Sequence, residues 1–185
     1  MWYTKSMKYS YKKLYEKTAA FFNARPNAKK ALSVFDRVLT ISFGLAYIAL
    51  WVYGAVWGKF SAHNFIRIFF VPALSLFFVS ILRTVIARPR PYSQAGAGIS
   101  PLKERKGSED NSFPSRHLAC AASIAICFFP ALPIVGAVML AFCVGLAYIR
   151  FALGFHYPSD LLAGGAVGFI VAGLYSLLEF VFSFL

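Results

Sequence analysis

The chain has 185 residues, of which 59% are hydrophobic and only 14% charged. A soluble domain of this size needs more polar surface, so the composition excludes one and indicates a multipass membrane protein. The net charge of +12 calls for an anionic partner, lipid headgroups or phosphate groups; nucleic acid is excluded because most of the chain must be buried in lipid.

Residues 1–36 carry Lys5, Lys8, Lys12, Lys13, Lys17, Arg25, Lys29 and Lys30. Met7, Tyr11, Leu14, Tyr15, Thr18 and Phe22 recur at helical spacing and fall on one face, with most lysines on the other. That pattern predicts an amphipathic helix lying on an anionic membrane surface; a frayed basic tail is the alternative. Arg25-Pro26-Asn27 breaks the helix. The first apolar run begins near Val38, after Lys-rich sequence, so no cleavable signal peptide is expected and the run stays as an anchor.

Five apolar segments follow, at residues 38–58, 65–87, 115–130, 134–153 and 159–184. A membrane-spanning helix needs ~20 residues, so the third is short. It spans only if its start sits in a protein-lined polar cavity instead of lipid. The polar stretch 88–114, rich in Gly, Pro and mixed charge around Lys103-Glu104-Arg105-Lys106, reads as a long functional loop that has room for a short helix. The expected architecture is therefore an all-α, polytopic membrane helix bundle. It has about five transmembrane helices plus the N-terminal amphipathic interfacial helix. Residues 1–36 form a basic segment, and 37–185 a membrane domain with an active-site loop at 88–116. Cys120, Cys127 and Cys143 lie in apolar segments. Their odd number and spacing argue against a disulfide framework or zinc site, and they read as packing residues.

Five spans place the N-terminus, the 88–114 loop and the 150–158 link on one side of the membrane. Three polar clusters converge there: Arg83-x6-Arg90-Pro91, Pro114-Ser115-Arg116-His117, and Arg150-x5-His156-x3-Asp160. Every Lys and Arg except Lys59 and Arg67 lies on that side too, which by the positive-inside rule favours a cytoplasmic face for the site in a cell-membrane protein.

The clusters hold parts suited to phosphoryl chemistry. Pro158 fits the first turn of the last helix, which places Asp160 where its carboxylate reaches back toward His156. A carboxylate on one imidazole nitrogen fixes the tautomer and leaves the other as nucleophile or base. A capping Asp beside a surface His is the plain alternative. Ser115 and His117 open the third apolar segment, where a helix N-terminus favours an anion, and His117 is placed to protonate a leaving oxygen. Arg83, Arg90 and Arg150 each lie near a helix end on this face, where guanidinium groups stabilise the charge on phosphoryl oxygens. Membrane anchoring or snorkelling is the competing account of the arginines, and it explains Arg88 as well as a chemical role does.

Taken together, these residues resemble the type 2 phosphatidic acid phosphatase superfamily, whose pattern is Lys-x6-Arg-Pro, Pro-Ser-Gly-His and Ser-Arg-x5-His-x3-Asp. The resemblance covers about the last 100 residues. This chain has Arg83 for the Lys, Arg116 for the Gly and Ile149 for the Ser. The resemblance implies that His156 is the nucleophile that becomes a phosphohistidine, that Asp160 orients it, and that His117 is the general acid. Arg83, Arg90, Ser115 and Arg150 then hold the phosphate oxygens. It implies no metal and no cofactor. Arg116 adds bulk and charge where Gly lets backbone approach, and is expected to reach a second anionic group on the substrate. His63 matches nothing and is read as structural.

The implied partners are a lipid phosphate substrate and anionic membrane lipids. The implied activity is hydrolysis of phosphatidic acid, phosphatidylglycerol phosphate, or an isoprenyl mono- or diphosphate. A phosphoryl or headgroup transferase using the same site is the alternative enzyme class, and a non-catalytic scaffold binding anionic lipid is the alternative outside enzymes. Family members commonly have six spans and a site facing away from the cytoplasm, which opposes the charge count.

Overall fold

A computed structural model of the chain describes residues 5–58, 60–93, 95–104 and 111–182. Lys59, Arg105, Lys106 and the tail after Phe182, with the side chains of Lys5, Met7 and Lys8, lie outside that description. The described residues form six helices: α1 (Lys5–Asn23), α2 (Pro26–Val56), α3 (Ala62–Ile86), α4 (Arg116–Phe128), α5 (Pro133–Ala152) and α6 (Pro158–Phe182). Arg25 separates α1 from α2, and Pro26 opens α2 at a position where its missing N–H costs no bond. Four helices, α2, α3, α5 and α6, are long and apolar enough to cross a membrane.

The third predicted crossing, α4, has only 13 residues, about 20 Å at 1.5 Å per residue. It is the central helix, packed against α3, α5 and α6. Leu118, Ala119, Ala121, Ala122, Ala125, Cys127 and Phe128 are all buried. A helix enclosed by protein does not have to match the thickness of the lipid core. Small residues permit this enclosure. A Cβ on Gly164 of α6 would lie 2.4 Å from the Ser115 carbonyl oxygen, and one on Gly168 would lie 2.5 Å from that of Ala119. Glycines one turn apart thus let α6 lie directly on the backbone of α4, a packing mode common between membrane helices.

By contrast α2 is peripheral. Val38, Ile41, Leu45, Ile48 and Val52 are exposed, as suits a lipid-facing helix. Its 31 residues measure about 46 Å, so its first turns stand clear of a ~30 Å hydrocarbon core. On the end of the bundle away from the polar clusters, His63 Nε2 meets Glu179 Oε1 at 2.8 Å, and Arg67 Nη1 meets Glu179 Oε2 at 3.0 Å. His63 thus helps tie α3 to α6.

Helix α1 forms as the periodicity predicts, but its tyrosine face rests on protein. Tyr11, Tyr15 and Phe22 are buried, while Leu14 is 50% exposed. Tyr11 meets the rings of Tyr157 and Phe151 edge-on, with centroids 4.6 Å and 6.1 Å away. Tyr15 donates to the Ser100 carbonyl at 3.1 Å and accepts the Leu102 N–H at 3.1 Å. Burial pushes its phenol up to about 12, so it stays a donor. These polar anchors explain the outcome. A tyrosine offers an apolar body and one hydrogen-bonding end, and the 88–115 loop supplies the backbone groups that end needs. Gly154, at φ +80° in the link after α5, faces the Tyr15 hydroxyl so closely that a Cβ would approach it to 2.9 Å.

Candidate active site

Four helix ends and one loop converge on the face covered by α1. The C-terminus of α3 contributes Arg83, and its last turn is closed by Ala87 in a left-handed conformation. The loop then carries Arg88 and Arg90 inward, runs out under α1, and returns through Asn111 to Ser115. Its described part has turns and no helix, so the loop ends at Ser115 and Arg116 already belongs to α4. The C-terminus of α5 supplies Arg150, and the short link to α6 supplies His156. The Ser115 N–H donates to the Asp160 carbonyl at 2.9 Å, which joins the start of α4 to the first turn of α6. The positive ends of both helix dipoles therefore point to one place.

His156 is 2% exposed. Its Nδ1 lies 3.0 Å from the Ser112 carbonyl oxygen and 3.6 Å from Asp160 Oδ2. A carbonyl only accepts, so Nδ1 carries the hydrogen and Nε2 presents its lone pair. Burial pushes the imidazole down to about 4, with the Asp160 hydrogen bond opposing and the Arg90 and Arg150 charges assisting. The ring is neutral at pH 7.

Asp160 has no exposure. One oxygen accepts the Tyr157 N–H at 3.0 Å, the reach-back expected of an acid in the first helical turn. The other meets Arg88 Nη1 at 2.7 Å. Ser115 is fully buried, and its Oγ has no hydrogen-bond partner among the described residues. A buried hydroxyl left so costs about 1–3 kcal/mol, which favours an acceptor ligand beside it. His117 is half-buried on the first turn of α4, and Arg116 beside it is exposed.

Of the arginines predicted to bind phosphate, Arg83, Arg90 and Arg150 are buried and held in place by protein, and Arg116 is exposed. Arg83 donates to the carbonyls of Asn111, Ser112 and Pro114, and Asn111 Nδ2 returns a bond to the Arg83 carbonyl at 2.8 Å. Arg90 Nη1 donates to the Phe155 carbonyl at 3.1 Å. Arg150 forms an ion pair with Asp36 of α2 at 2.8 Å and donates to Thr40 Oγ1 at 2.9 Å. These bonds fix the direction of each guanidinium. Rigid cations held before a charge develops are what electrostatic catalysis needs.

Sequence reasoning missed three participants. Asp36 carried a usable signal, as an acid at the mouth of an apolar helix. Arg88 was open between an anchor and a chemical role, and it pairs with Asp160. Ser112 acts through its backbone carbonyl, for which no residue type is a signal.

Residues 64–182 match the PAP2 superfamily. A lipid A 1-phosphatase of Rhizobium johnstonii is 30% identical over 102 residues, which are 55% of this chain and 42% of that protein. The chain thus spans less than half the length of that curated relative. The fold is similar to a transmembrane PAP2-type phosphatidylglycerolphosphate phosphatase from Bacillus subtilis, with TM-score 0.75 at 19% identity over 96% of this chain and 88% of that one. It is also similar to Aquifex aeolicus LpxE, with TM-score 0.66 at 21% identity over 88% of this chain and 92% of that one. The matched residues take in all three polar clusters and the four helix ends that bring them together, and on that match this multipass membrane chain belongs to the PAP2 superfamily.

Proposed function

We propose that the chain is a metal-independent lipid phosphate phosphatase that works through a phosphohistidine on His156. The observation that carries this reading is the His156 imidazole: neutral, buried, and fixed at Nδ1 by the Ser112 carbonyl. Such a ring has one free lone pair, at Nε2, among fixed cations. In the first step Nε2 attacks phosphorus, the P–O bond to the lipid breaks, and His117 protonates the departing oxygen. In the second, water attacks the phosphohistidine, the P–N bond breaks, and His117 takes the water's proton. Arg83, Arg90, Arg150 and Ser115 hold the phosphoryl oxygens through both steps.

The substrate joins an apolar tail to a phosphate head. Phosphatidic acid, phosphatidylglycerol phosphate and isoprenyl mono- or diphosphates satisfy that, as does the class of glycolipid phosphate named for the Rhizobium relative. The exposure of Arg116 at the start of α4 supports a role in meeting a second anionic group on such a head.

The test is phosphate release by detergent-solubilised protein in EDTA. Wild type is expected to be active, His156→Ala inactive, and vanadate, a pentavalent phosphate mimic, inhibitory. Full activity in His156→Ala, or strict dependence on magnesium, defeats the reading. We place the site on the cytoplasmic face of the cell membrane because the non-catalytic lysines of α1 lie on the site's side. With α2 to α6 each passing through the bundle, a topology reporter fused after Leu185 is then expected on the far side.

A further inference from the structure

We propose that Arg88 is a positioning residue of this site, holding both groups that fix the His156 ring: the Asp160 carboxylate through its guanidinium, and Ser112 through its backbone. The proposal rests on the reading of His156 as nucleophile.

Two polar routes lead from Arg88 to the same imidazole nitrogen, one ending in a charge contact and one in a hydrogen bond. In the first, Arg88 Nη1 meets Asp160 Oδ1 at 2.7 Å, and Asp160 Oδ2 stands 3.6 Å from His156 Nδ1. In the second, the Arg88 carbonyl accepts the Ser112 N–H at 2.7 Å and the Ser112 hydroxyl at 3.3 Å. The Ser112 carbonyl in turn receives His156 Nδ1 at 3.0 Å. Snorkelling would carry the guanidinium outward to headgroups. Here it is drawn inward, donating also to Ser159 Oγ at 2.8 Å and lying 4.0 Å over the Tyr157 ring. The left-handed Ala87 ends α3 immediately before it, so the chain turns into the site at this residue.

The pairing has an electrostatic purpose. Asp160 has no exposure, and a buried carboxylate is strongly disfavoured without a cation beside it. The Arg88 guanidinium at 2.7 Å offsets the buried Asp160 carboxylate, which can then orient the ring from the Nδ1 side. The groups facing His156 are Asp160 on α6, Arg90 on the loop and Arg150 at the end of α5. The two arginines disfavour a charged ring, and Asp160 alone favours one. Arg88 sets how strongly Asp160 does so.

The experiment compares wild type, Arg88→Gln and Arg88→Lys in detergent micelles. Phosphate release from dioctanoyl phosphatidic acid and from farnesyl diphosphate is followed across pH, with thermal melting of each variant recorded. Loss of an outer partner of this kind costs about 10- to 100-fold in activity. Arg88→Gln is therefore expected to lower kcat by that factor with KM within about twofold. The acid limb of its kcat/KM profile is expected to move up toward neutral pH, because an uncompensated Asp160 holds the His156 proton more tightly. Arg88→Lys restores the cation and is expected to move the limb back and recover part of kcat. If Arg88→Gln does not fold, Arg88→Lys against wild type carries the comparison, with a smaller kcat loss at constant KM expected.

Three results overturn the proposal. A tenfold or larger rise in KM at constant kcat makes Arg88 a phosphate ligand. A kcat loss with an unmoved acid limb and no rescue by Lys makes its role structural only. Unchanged kinetics remove any role. Activity surviving in His156→Ala defeats the underlying reading instead, whatever the Arg88 variants do.

Discussion

Gly164 offers a sharp test of how the fold builds the site, because its neighbour in sequence is a natural control. A Cβ on Gly164 would sit 2.4 Å from the Ser115 carbonyl oxygen and 3.1 Å from both Ser115 N and Cβ. The nearest atom is backbone, so no rotamer change relieves the clash, and α4 and α6 must separate. Overpacking of a tight core costs typically about 1–3 kcal/mol. For a chain of this size that corresponds to a fall of roughly 2 to 12 °C in melting temperature. A Cβ on Gly165 meets nothing within 4 Å, so Gly165→Ala is expected to leave stability unchanged or slightly raised.

The effect on activity should be larger than the effect on folding. Ser115 N–H donates to the Asp160 carbonyl at 2.9 Å, and that bond bridges the two helix starts carrying His117 and the His156–Asp160 pair. Displacing it moves the two histidines relative to each other, and a misplacement of about 1 Å can cost 10²-fold in rate. Gly168→Ala clashes with the Ala119 carbonyl at 2.5 Å, one turn deeper. It is expected to destabilise like Gly164→Ala but to keep more activity per folded molecule. Melting in micelles can be read with a thiol-reactive dye, since Cys127 and Cys143 are buried in the folded state. Phosphate release normalised to folded protein gives the second readout. If Gly164→Ala matches Gly165→Ala in both, the close contact between α4 and α6 is not what sets the site.

Asp36→Ala leaves Arg150 buried without its 2.8 Å partner; breaking a buried pair this way is expected to cost about 3–5 kcal/mol, seen as a large fall in melting temperature that Asp36→Glu partly avoids. His156 predicts a pH dependence with a definite sign. Its folded value near 4 lies below the ordinary value of 6.5, so the unfolded chain binds the extra proton first and stability falls as pH drops from about 6.5 toward 4. At pH 5 that amounts to roughly 2 kcal/mol, and the difference in melting temperature between pH 7 and pH 5 should be smaller in His156→Gln by roughly 4 to 8 °C; parallel curves would refute it. Arg116→Ala is expected to lower kcat/KM for lipid diphosphates by about 10-fold or less relative to monophosphates, as for one lost charged contact; equal losses on both would show that this side chain does not read a second anionic group.

The parts of the site that could be read from sequence are those whose spacing is fixed by a helix. Asp160 sits in the first turn of α6 because Pro158 starts that helix, and its link to His156 follows from four residues of separation. The destination of α1 was not readable in the same way. An amphipathic pattern identifies an apolar face but not what covers it, and lipid and the 88–115 loop both satisfy a row of tyrosines. What settles it is the set of backbone groups at Ser100 and Leu102 that take the Tyr15 hydroxyl, and these belong to a loop without periodicity. Arg88 was ambiguous for a related reason: a chain with 19 Lys and Arg gives too many cations for any one to stand out. The acids are the scarcer signal, with only seven Asp and Glu in the chain. Asp36, Asp160 and Glu179, the three within the spanning helices, meet Arg150, Arg88 and Arg67. An acid in an apolar helix needs a cation to remain charged, so in such a chain each one points to the arginine that has been drawn inward from the surface.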